Sequence, residues 1–380
     1  MRFTEEHQAF RAMVRDVVEK EIVPFIDDWE RAGIFPAHEL FPKLGAQGLL
    51  GLEYDPAYGG QGADHLYQVI ACEELARCGA GGVPMAVGVQ SCMATPSLAK
   101  FGSEALKQKY LVPAIAGTQV TSIAVTEPGA GSDVASIRTK AVRDGDEYVL
   151  NGTKLYITSG TQADWMCVLA RTSDEGGYRG MSQLVVETKT PGFSVSRKLD
   201  KLGQRSSDTA EIVFEDVRVP VENVIGTEGR GFQQQMSQFV VERMFAAYGT
   251  PGSARRALEK TRDYLKQREA FGKPLMQNQY LAFRMAELSA QIDLVQAHNY
   301  ACAEAYMNGE DTTRYATVAK LMTGRLAREV ADTCIQFYGG MGYMEETWTS
   351  RYFRDSRLLS IGGGADEVML QVLAQLDGFT

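Results

Sequence analysis

Apolar and polar positions change rhythm twice along the chain. In residues 1–120 the period is helical: Phe10, Val14, Val17 and Val18 fall on one face of a 3.6-residue repeat. Windows at Leu66–Arg77 and Glu104–Ile115 continue it, the second with Ser103 placed as an N-cap, while glycines between Gly45 and Gly62 break it into loops. Residues 121–228 switch to runs rich in Val, Ile, Tyr and Thr. These predict strands at Lys140–Arg143, Glu147–Leu150, Lys154–Thr158, Ala163–Arg171, Gln183–Glu187 and Glu211–Phe214. Asp144-Gly145 and Asn151-Gly152 stand between runs and tolerate the positive φ of tight hairpin turns. Residues 229–380 return to helix at Phe232–Gln267, Leu281–Met307, Thr317–Gln336 and Ala365–Leu376, with Gly249 and Pro251 as candidate bends in the first. The expectation is an α+β multidomain fold. An N-terminal helical domain (1–120) and a small central β domain (121–228) precede a C-terminal antiparallel four-helix bundle (229–380).

Composition narrows the partners. The 380 residues are 44% apolar and 23% charged, as in soluble globular proteins. A net charge of −9 argues against nucleic acid, which needs a basic face. No apolar run approaches the roughly 20 residues of a membrane span. The start, Met-Arg-Phe-Thr-Glu-Glu-His, lacks the apolar core of a signal peptide. Six scattered cysteines without a Cys-x-x-Cys pair suggest reduced thiols and a cytoplasmic protein. Four histidines far apart in sequence argue against a metal site. The nicotinamide fingerprint Gly-x-Gly-x-x-Gly is missing, as are the phosphate loop and the Gly-x-Ser-x-Gly elbow. Ser97-Leu-Ala-Lys100 has the spacing of a serine–lysine tetrad, but it lacks companion motifs and lies in a helical window, so chance accounts for it.

The chemistry gathers elsewhere. Ile123-Ala-Val-Thr-Glu-Pro-Gly-Ala-Gly-Ser-Asp-Val134 brings an apolar run to a Pro-Gly turn. Such a turn offers backbone N–H groups, beside Thr126 and Ser132, to a ligand's carbonyls or phosphates. Alone it reads equally as a surface turn. It is followed by Asn151-Gly-Thr-Lys-Leu-Tyr-Ile-Thr158, Lys201-Leu-Gly-Gln-Arg-Ser-Ser207, Phe214-Glu-Asp-Val-Arg-Val-Pro220 and Arg268-Glu-Ala-Phe-Gly-Lys273. Gln279, Gln336-Phe-Tyr-Gly-Gly-Met-Gly-Tyr343 and Arg354-Asp355 complete the series. In this order, over essentially the whole chain, these segments resemble the acyl-CoA dehydrogenase family, with bacterial long-chain and citronellyl-CoA types as the expected nearest members.

The resemblance implies FAD and an acyl-CoA substrate. Val125, Thr126, Tyr156 and Thr158 would line the isoalloxazine, with Thr158 toward N5, and Ser132 would sit between flavin and CoA. Arg268, Phe271, Gln279, Gln336 and Gly340 would come from a neighbouring subunit to hold the adenosine diphosphate end, where a forked guanidinium suits a pyrophosphate. That sharing implies a homo-oligomer, a dimer of dimers in the family. An electron-transfer flavoprotein is the expected electron acceptor. From the residues alone, Arg268 and Gln279 also suit a solvated surface, and the glycines a helix stop. Tyr156 replaces a common tryptophan and Ala365 a common threonine.

One departure concerns the base. Many relatives place a glutamate where this chain has Gly363, within Ile361-Gly-Gly-Gly-Ala-Asp366, and glycine takes no proton. In isovaleryl- and long-chain-type relatives the base precedes an arginine on the first long C-terminal helix, which points here to Glu242 beside Arg243. Phe239, Phe245 and Ala246 share its helical face and are candidate substrate contacts. A carboxylate on an apolar stripe has a raised pKa. The competing arrangement is a carboxylate at the stripe's edge, paired with a lysine or arginine. The Gly363 N–H would hydrogen-bond the thioester carbonyl, and Glu367 would follow in the flavin-proximal turn or serve as a helix-start carboxylate. Ala246, Ala247 and Gly249 either admit a branched or long acyl chain or let helices pack closely. The expected reaction is FAD-dependent α,β-dehydrogenation of an acyl-CoA, branched, terpenoid or medium-to-long. An acyl-CoA oxidase and a non-catalytic acyl-CoA-binding scaffold are the alternatives.

Overall fold

The computed structural model describes residues 3–380. The N-terminal helical rhythm becomes α1 (Glu5–Glu21), α2 (Ile26–Ala32), α3 (Ala37–Ala46), α4 (His65–Leu75), α5 (Gly82–Gly88), α6 (Pro96–Phe101), α7 (Glu104–Leu106) and α8 (Val112–Ile115). Thr4 caps α1, whose apolar face buries Val14, Val17 and Val18 in a core with Phe35, Phe41 and Leu44. The Ser103 hydroxyl accepts from the Leu106 N–H at 3.3 Å, the cap expected of it. Two π turns, Val89–Met93 and Lys107–Leu111, interrupt this region and leave no mark on the hydrophobic period.

The middle stretch forms one seven-stranded sheet from β1 (Thr121–Ala124), β2 (Lys140–Asp144), β3 (Glu147–Thr158), β4 (Trp165–Arg171), β5 (Met181–Glu187), β6 (Phe193–Lys198) and β7 (Thr209–Pro220). β1 runs parallel to β4, β5 antiparallel to β4, and β2, β3, β7 and β6 are antiparallel neighbours in that order. The β2–β3 turn forms at Asp144-Gly145 as expected, with Gly145 at φ +64°. The second expected turn is absent. Glu147–Leu150 and Lys154–Thr158 are one strand, and Asn151-Gly152 is a bulge in it against β7. Gly152 has φ +151° and a side chain there would strike Thr139, so the dipeptide serves close backbone approach, not chain reversal. β6 has no alternating pattern because it is an edge strand exposed along nearly its whole length.

The C-terminal stretch comprises α9 (Gly231–Gln267), a small hairpin of β8 (Glu269–Ala270) and β9 (Lys273–Pro274), α10 (Gln279–Met307), α11 (Thr313–Tyr338), α12 (Trp348–Ser356) and α13 (Asp366–Leu376). α11 packs on α9, α10, α12 and α13, and Leu258, Leu265, Leu288, Ile292, Leu326 and Val330 fill the core. Gly249 and Pro251 do not break α9. Proline removes the donor that the Ala247 carbonyl needs, and Asn299 of α10 supplies one from its side-chain amide at 3.0 Å. Gly249 and Gly252 lie against Cys72, Glu73 and Ala76, at the C-terminal end of α4 and just beyond it, so small residues here serve close helix packing. Asp355 joins the three stretches by accepting from the Gly81 and Gln204 N–H groups, and burial pushes its carboxyl up to about 6.

Candidate active site

β1 leads directly into the Val125–Ala130 turn, and β3 runs beneath it. Lys154, 0% exposed, donates to the Val125 carbonyl and to Glu127 Oε1, both at 2.9 Å. Glu127 also accepts from the Arg138 and Thr139 N–H groups at 2.6 and 2.9 Å. Burial pushes the Lys154 ammonium down to about 8 against the pull of Glu127. Burial acts to raise Glu127 as well, but Lys154 and the backbone donors outweigh it and hold the carboxyl below its ordinary range. The Leu155 N–H donates to the Thr126 carbonyl at 2.8 Å, and the Ser122 hydroxyl donates to the Thr158 carbonyl. These bonds bring Val125, Thr126, Tyr156 and Thr158 together at the C-terminal ends of β1 and β3.

Tyr156 is 66% exposed and has φ +62°, in the irregularity of β3 between Lys154 and Ile157. A left-handed backbone at an aromatic residue costs about 1–3 kcal/mol and is maintained by its surroundings, here the buried Lys154 beside it. Ser132 lies on the exposed loop beyond the turn, and Gly129 faces open space. An exposed aromatic face beside open, glycine-bearing backbone fits a planar, hydrogen-bonding group such as the isoalloxazine of FAD.

Across from the sheet, α9 carries Glu242. Its side chain is buried (8% exposed) and has no cation partner within salt-bridge distance among the described residues. Burial pushes its carboxyl up to about 7, against two glutamine amides and Arg243 that favour the ionised form. This is the raised carboxyl expected from the stripe, not the edge-paired alternative. Arg243 points the other way, toward the Gly362–Gly364 turn, with its Nε buried and without a hydrogen-bond partner. Burial lowers the Arg243 pKa. In that turn Gly363 has φ +67° and is exposed, and Gly364 has φ +105°. Lys320 of α11, 1% exposed, donates to the Gly364 carbonyl, and burial pushes its ammonium down to about 8. Glu367 is exposed in the first turn of α13.

The three candidate substrate contacts separate. Phe239 packs with Val125, Ala130, Leu169 and Met181, under the Val125–Ala130 turn. The Phe245 ring lies over Gly88, where any side chain would collide with it, among Leu66, Cys72 and Cys92. Ala246 lines a cavity of about 190 Å³ with Phe245, Gly249, Met85, Leu75 and Leu359. Gly249 packs closely against the end of α4 and also borders this cavity. A larger charged cleft of about 830 Å³, between α2, Lys198–Lys201 and α12, is lined by none of the candidate residues.

Arg268, Phe271, Gln279, Gln336 and Gly340 are all exposed, at one end of the bundle. The Leu275 N–H bonds to the Arg268 carbonyl, Tyr264 stacks on Tyr338 at 4.1 Å, and Tyr280 meets Phe337 edge-on, which gathers their segments. No hydrogen bond or ring contact joins this group to the Val125–Thr158 group among the described residues. The sequence reading missed Lys154, Lys320, Gln235, Gln238 and Asn299. Only the two glutamines carried a signal, since they precede Glu242 by seven and four residues on one helical face.

Known proteins match this arrangement throughout. The acyl-CoA dehydrogenase N-terminal, middle and C-terminal domain models match residues 4–118, 122–217 and 229–376. An acyl-CoA dehydrogenase crystal structure from Geobacillus kaustophilus superposes with a TM-score of 0.95 at 40% identity, covering 99% of each chain. The mitochondrial long-chain specific acyl-CoA dehydrogenase of Sus scrofa is 36% identical over 98% of this chain and 86% of its own length. The short-chain specific acyl-CoA dehydrogenase of Megasphaera elsdenii is 37% identical over 97% of both. Long- and short-chain relatives stand equally near, so the expected closeness to long-chain and citronellyl-CoA types is not borne out. Among the described residues no helix is long and apolar enough to cross a membrane, and no cluster of metal-ligating side chains occurs. With its fold and all three family domains in order, the chain belongs to the acyl-CoA dehydrogenase family, FAD flavoproteins that oxidise acyl-CoA thioesters.

Proposed function

We propose that this enzyme converts an acyl-CoA to the trans-2-enoyl-CoA with Glu242 as the base. The observation that carries the assignment is a buried carboxylate, unpaired with any cation, on a chain whose alternative position is Gly363. A thioester α-proton is weakly acidic, so a carboxylate with a pKa near neutrality suits its removal. FAD, held by Val125, Thr126, Tyr156 and Thr158, supplies the acceptor for the hydride that leaves the β-carbon. The Gly363 N–H, in a turn fixed by Lys320, donates to the thioester carbonyl as negative charge develops there. Ser132 and Arg243 flank substrate and turn. Glu367, exposed at the start of α13, would lie next to the flavin.

The acyl chain extends past Phe245 into the cavity bordered by Ala246 and Gly249, which supports a medium-to-long or branched chain. Phe239 acts through the turn it supports and not through the substrate. On this reading residues 1–120, 121–228 and 229–380 are the domains, and the FAD adenosine diphosphate lies against Arg268, Phe271, Gln279, Gln336 and Gly340 of a second copy. Exposed Phe271, Tyr280, Phe283 and Leu294 on that part of the chain support a homo-oligomer, with a dimer of dimers as the assembly. An electron-transfer flavoprotein takes the electrons onward, and six unpaired, buried thiols support a cytoplasmic setting. The test is anaerobic mixing of the yellow holoprotein with straight and branched acyl-CoA thioesters. Bleaching with enoyl-CoA formation is expected, and absence of bleaching across the panel overturns the reading.

A further inference from the structure

Two chains of side-chain amides converge on a single oxygen of Glu242. Gln238 Nε2 donates to Glu242 Oε1 at 2.7 Å and also to the Met93 carbonyl. Gln238 Oε1 accepts from the Ser97 hydroxyl at 2.7 Å. Gln235 Nε2 donates to the same Glu242 Oε1 at 3.3 Å, and Gln235 Oε1 accepts from Gln183 Nε2 at 2.9 Å. All of these side chains are buried. The Met93 carbonyl only accepts, so the Gln238 amide cannot turn its oxygen toward Glu242 without facing one acceptor with another. The Ser97 hydroxyl, which can donate or accept, donates to the opposite end in that orientation. Ser97, which the sequence offered as half of a chance tetrad, thus has a use that does not involve Lys100.

We infer that Gln238, supported by Gln235, is a positioning residue that holds Glu242 ionised and reserves its Oε2 for the substrate proton. Oε1 is committed to N–H donors, and a carboxyl proton placed there would collide with them. Oε2 carries no such donor and takes the proton from the substrate α-carbon. Hydrogen bonds to the ionised form oppose the effect of burial, which otherwise drives the carboxyl further toward its neutral form. The titratable and charged groups that act on Glu242 are few: Arg243, next to it on α9 but turned toward Gly364, Cys92 of the N-terminal helices and Cys167 of β4. Burial pushes both thiols up to about 12, so neither titrates near neutrality. The acid limb of a pH profile in this range therefore reports the carboxylate and its amide partners, while the Lys154 and Lys320 ammoniums, pushed down to about 8, act on its alkaline side. The inference rests on Glu242 being the base.

The experiment is the pH profile of kcat/KM with the best acyl-CoA of the panel. In the wild type the acid limb has its midpoint near pH 7, where Glu242 titrates. A hydrogen bond to a charged group corresponds to about one to two pH units. Gln238→Leu is therefore expected to move that limb upward by about this much. Its activity should fall about tenfold at pH 7 and recover at pH 9, with the flavin spectrum unchanged. Gln235→Leu, which loses the longer bond, should move it less. Gln238→Glu should move it furthest, because two carboxyls then share one proton. That near-isosteric variant also serves should Gln238→Leu fail to fold. A merely structural glutamine would lower activity equally at every pH and give no such order. An unmoved limb, or a uniform loss, overturns the inference. If Glu242→Gln abolishes flavin reduction while the Gln238 variants leave the profile in place, only the amide assignment falls. If Glu242→Gln keeps full reduction, both fall.

Discussion

The burial that would equip Glu242 as the proposed base carries a cost that a stability measurement reads directly. Its carboxyl is pushed from an ordinary 4.5 to about 7, chiefly by burial. Between these values the folded protein keeps a proton that the unfolded chain has lost. Stability therefore falls as pH rises through this window, then levels off above pH 7, where both states are ionised. Each pH unit across the window is worth about 1.4 kcal/mol, so the ionised side chain destabilises the fold by about 3 kcal/mol at pH 8. Glu242→Gln removes the titration while its carbonyl still accepts from Gln238. The assay is urea unfolding of both proteins from pH 5.5 to 8.5, at fixed protein and FAD concentrations, because bound cofactor and subunit association shift apparent stability. The variant should gain on the wild type by about 2 kcal/mol over that range, mostly below pH 7. A constant offset absorbs any difference in the other contacts of the two side chains. A gap that stays flat, or narrows with rising pH, refutes the buried, pKa-raised carboxylate.

Two further substitutions test the supports of the site. Asn299→Leu leaves the buried Ala247 carbonyl above Pro251 without a donor, and urea unfolding should show a loss of about 1–3 kcal/mol, with no loss contradicting the role assigned to it. Lys320→Met frees the Gly364 carbonyl and with it the Gly363 turn, and should lower kcat by up to about a hundredfold while FAD stays bound. Unchanged kcat would show that the turn holds itself.

The change from helical to strand segments and back was legible in the sequence because helices such as α1 bury one face, while β4 and β5, buried on both faces, read as mainly apolar runs. Val14 and Val18 on α1 and Val168 and Val186 on facing strands are where those patterns put them. Asn151-Gly152 was misread because positive φ serves a bulge as well as a turn, and only the distant Thr139 shows which. Pro251 looked like a break in α9 because the donor that replaces its missing N–H, Asn299, lies on another helix, 52 residues beyond the carbonyl it serves. Glu242 was pointed to by the resemblance to isovaleryl- and long-chain-type relatives and by the glycine at 363, since its helical face alone suits an edge-paired carboxylate. The amides that hold it were not, since Ser97, Met93 and Gln183 come from segments that sequence spacing does not connect. Lys154 gave no local sign either, because a lysine inside a strand ordinarily faces solvent.

The most direct measurement is rapid anaerobic mixing of Glu242→Gln holoprotein with an acyl-CoA that bleaches the wild type. The account predicts normal flavin absorbance, normal thioester binding and almost no reduction. Reduction at the wild-type rate would place the proton acceptor elsewhere in the chain.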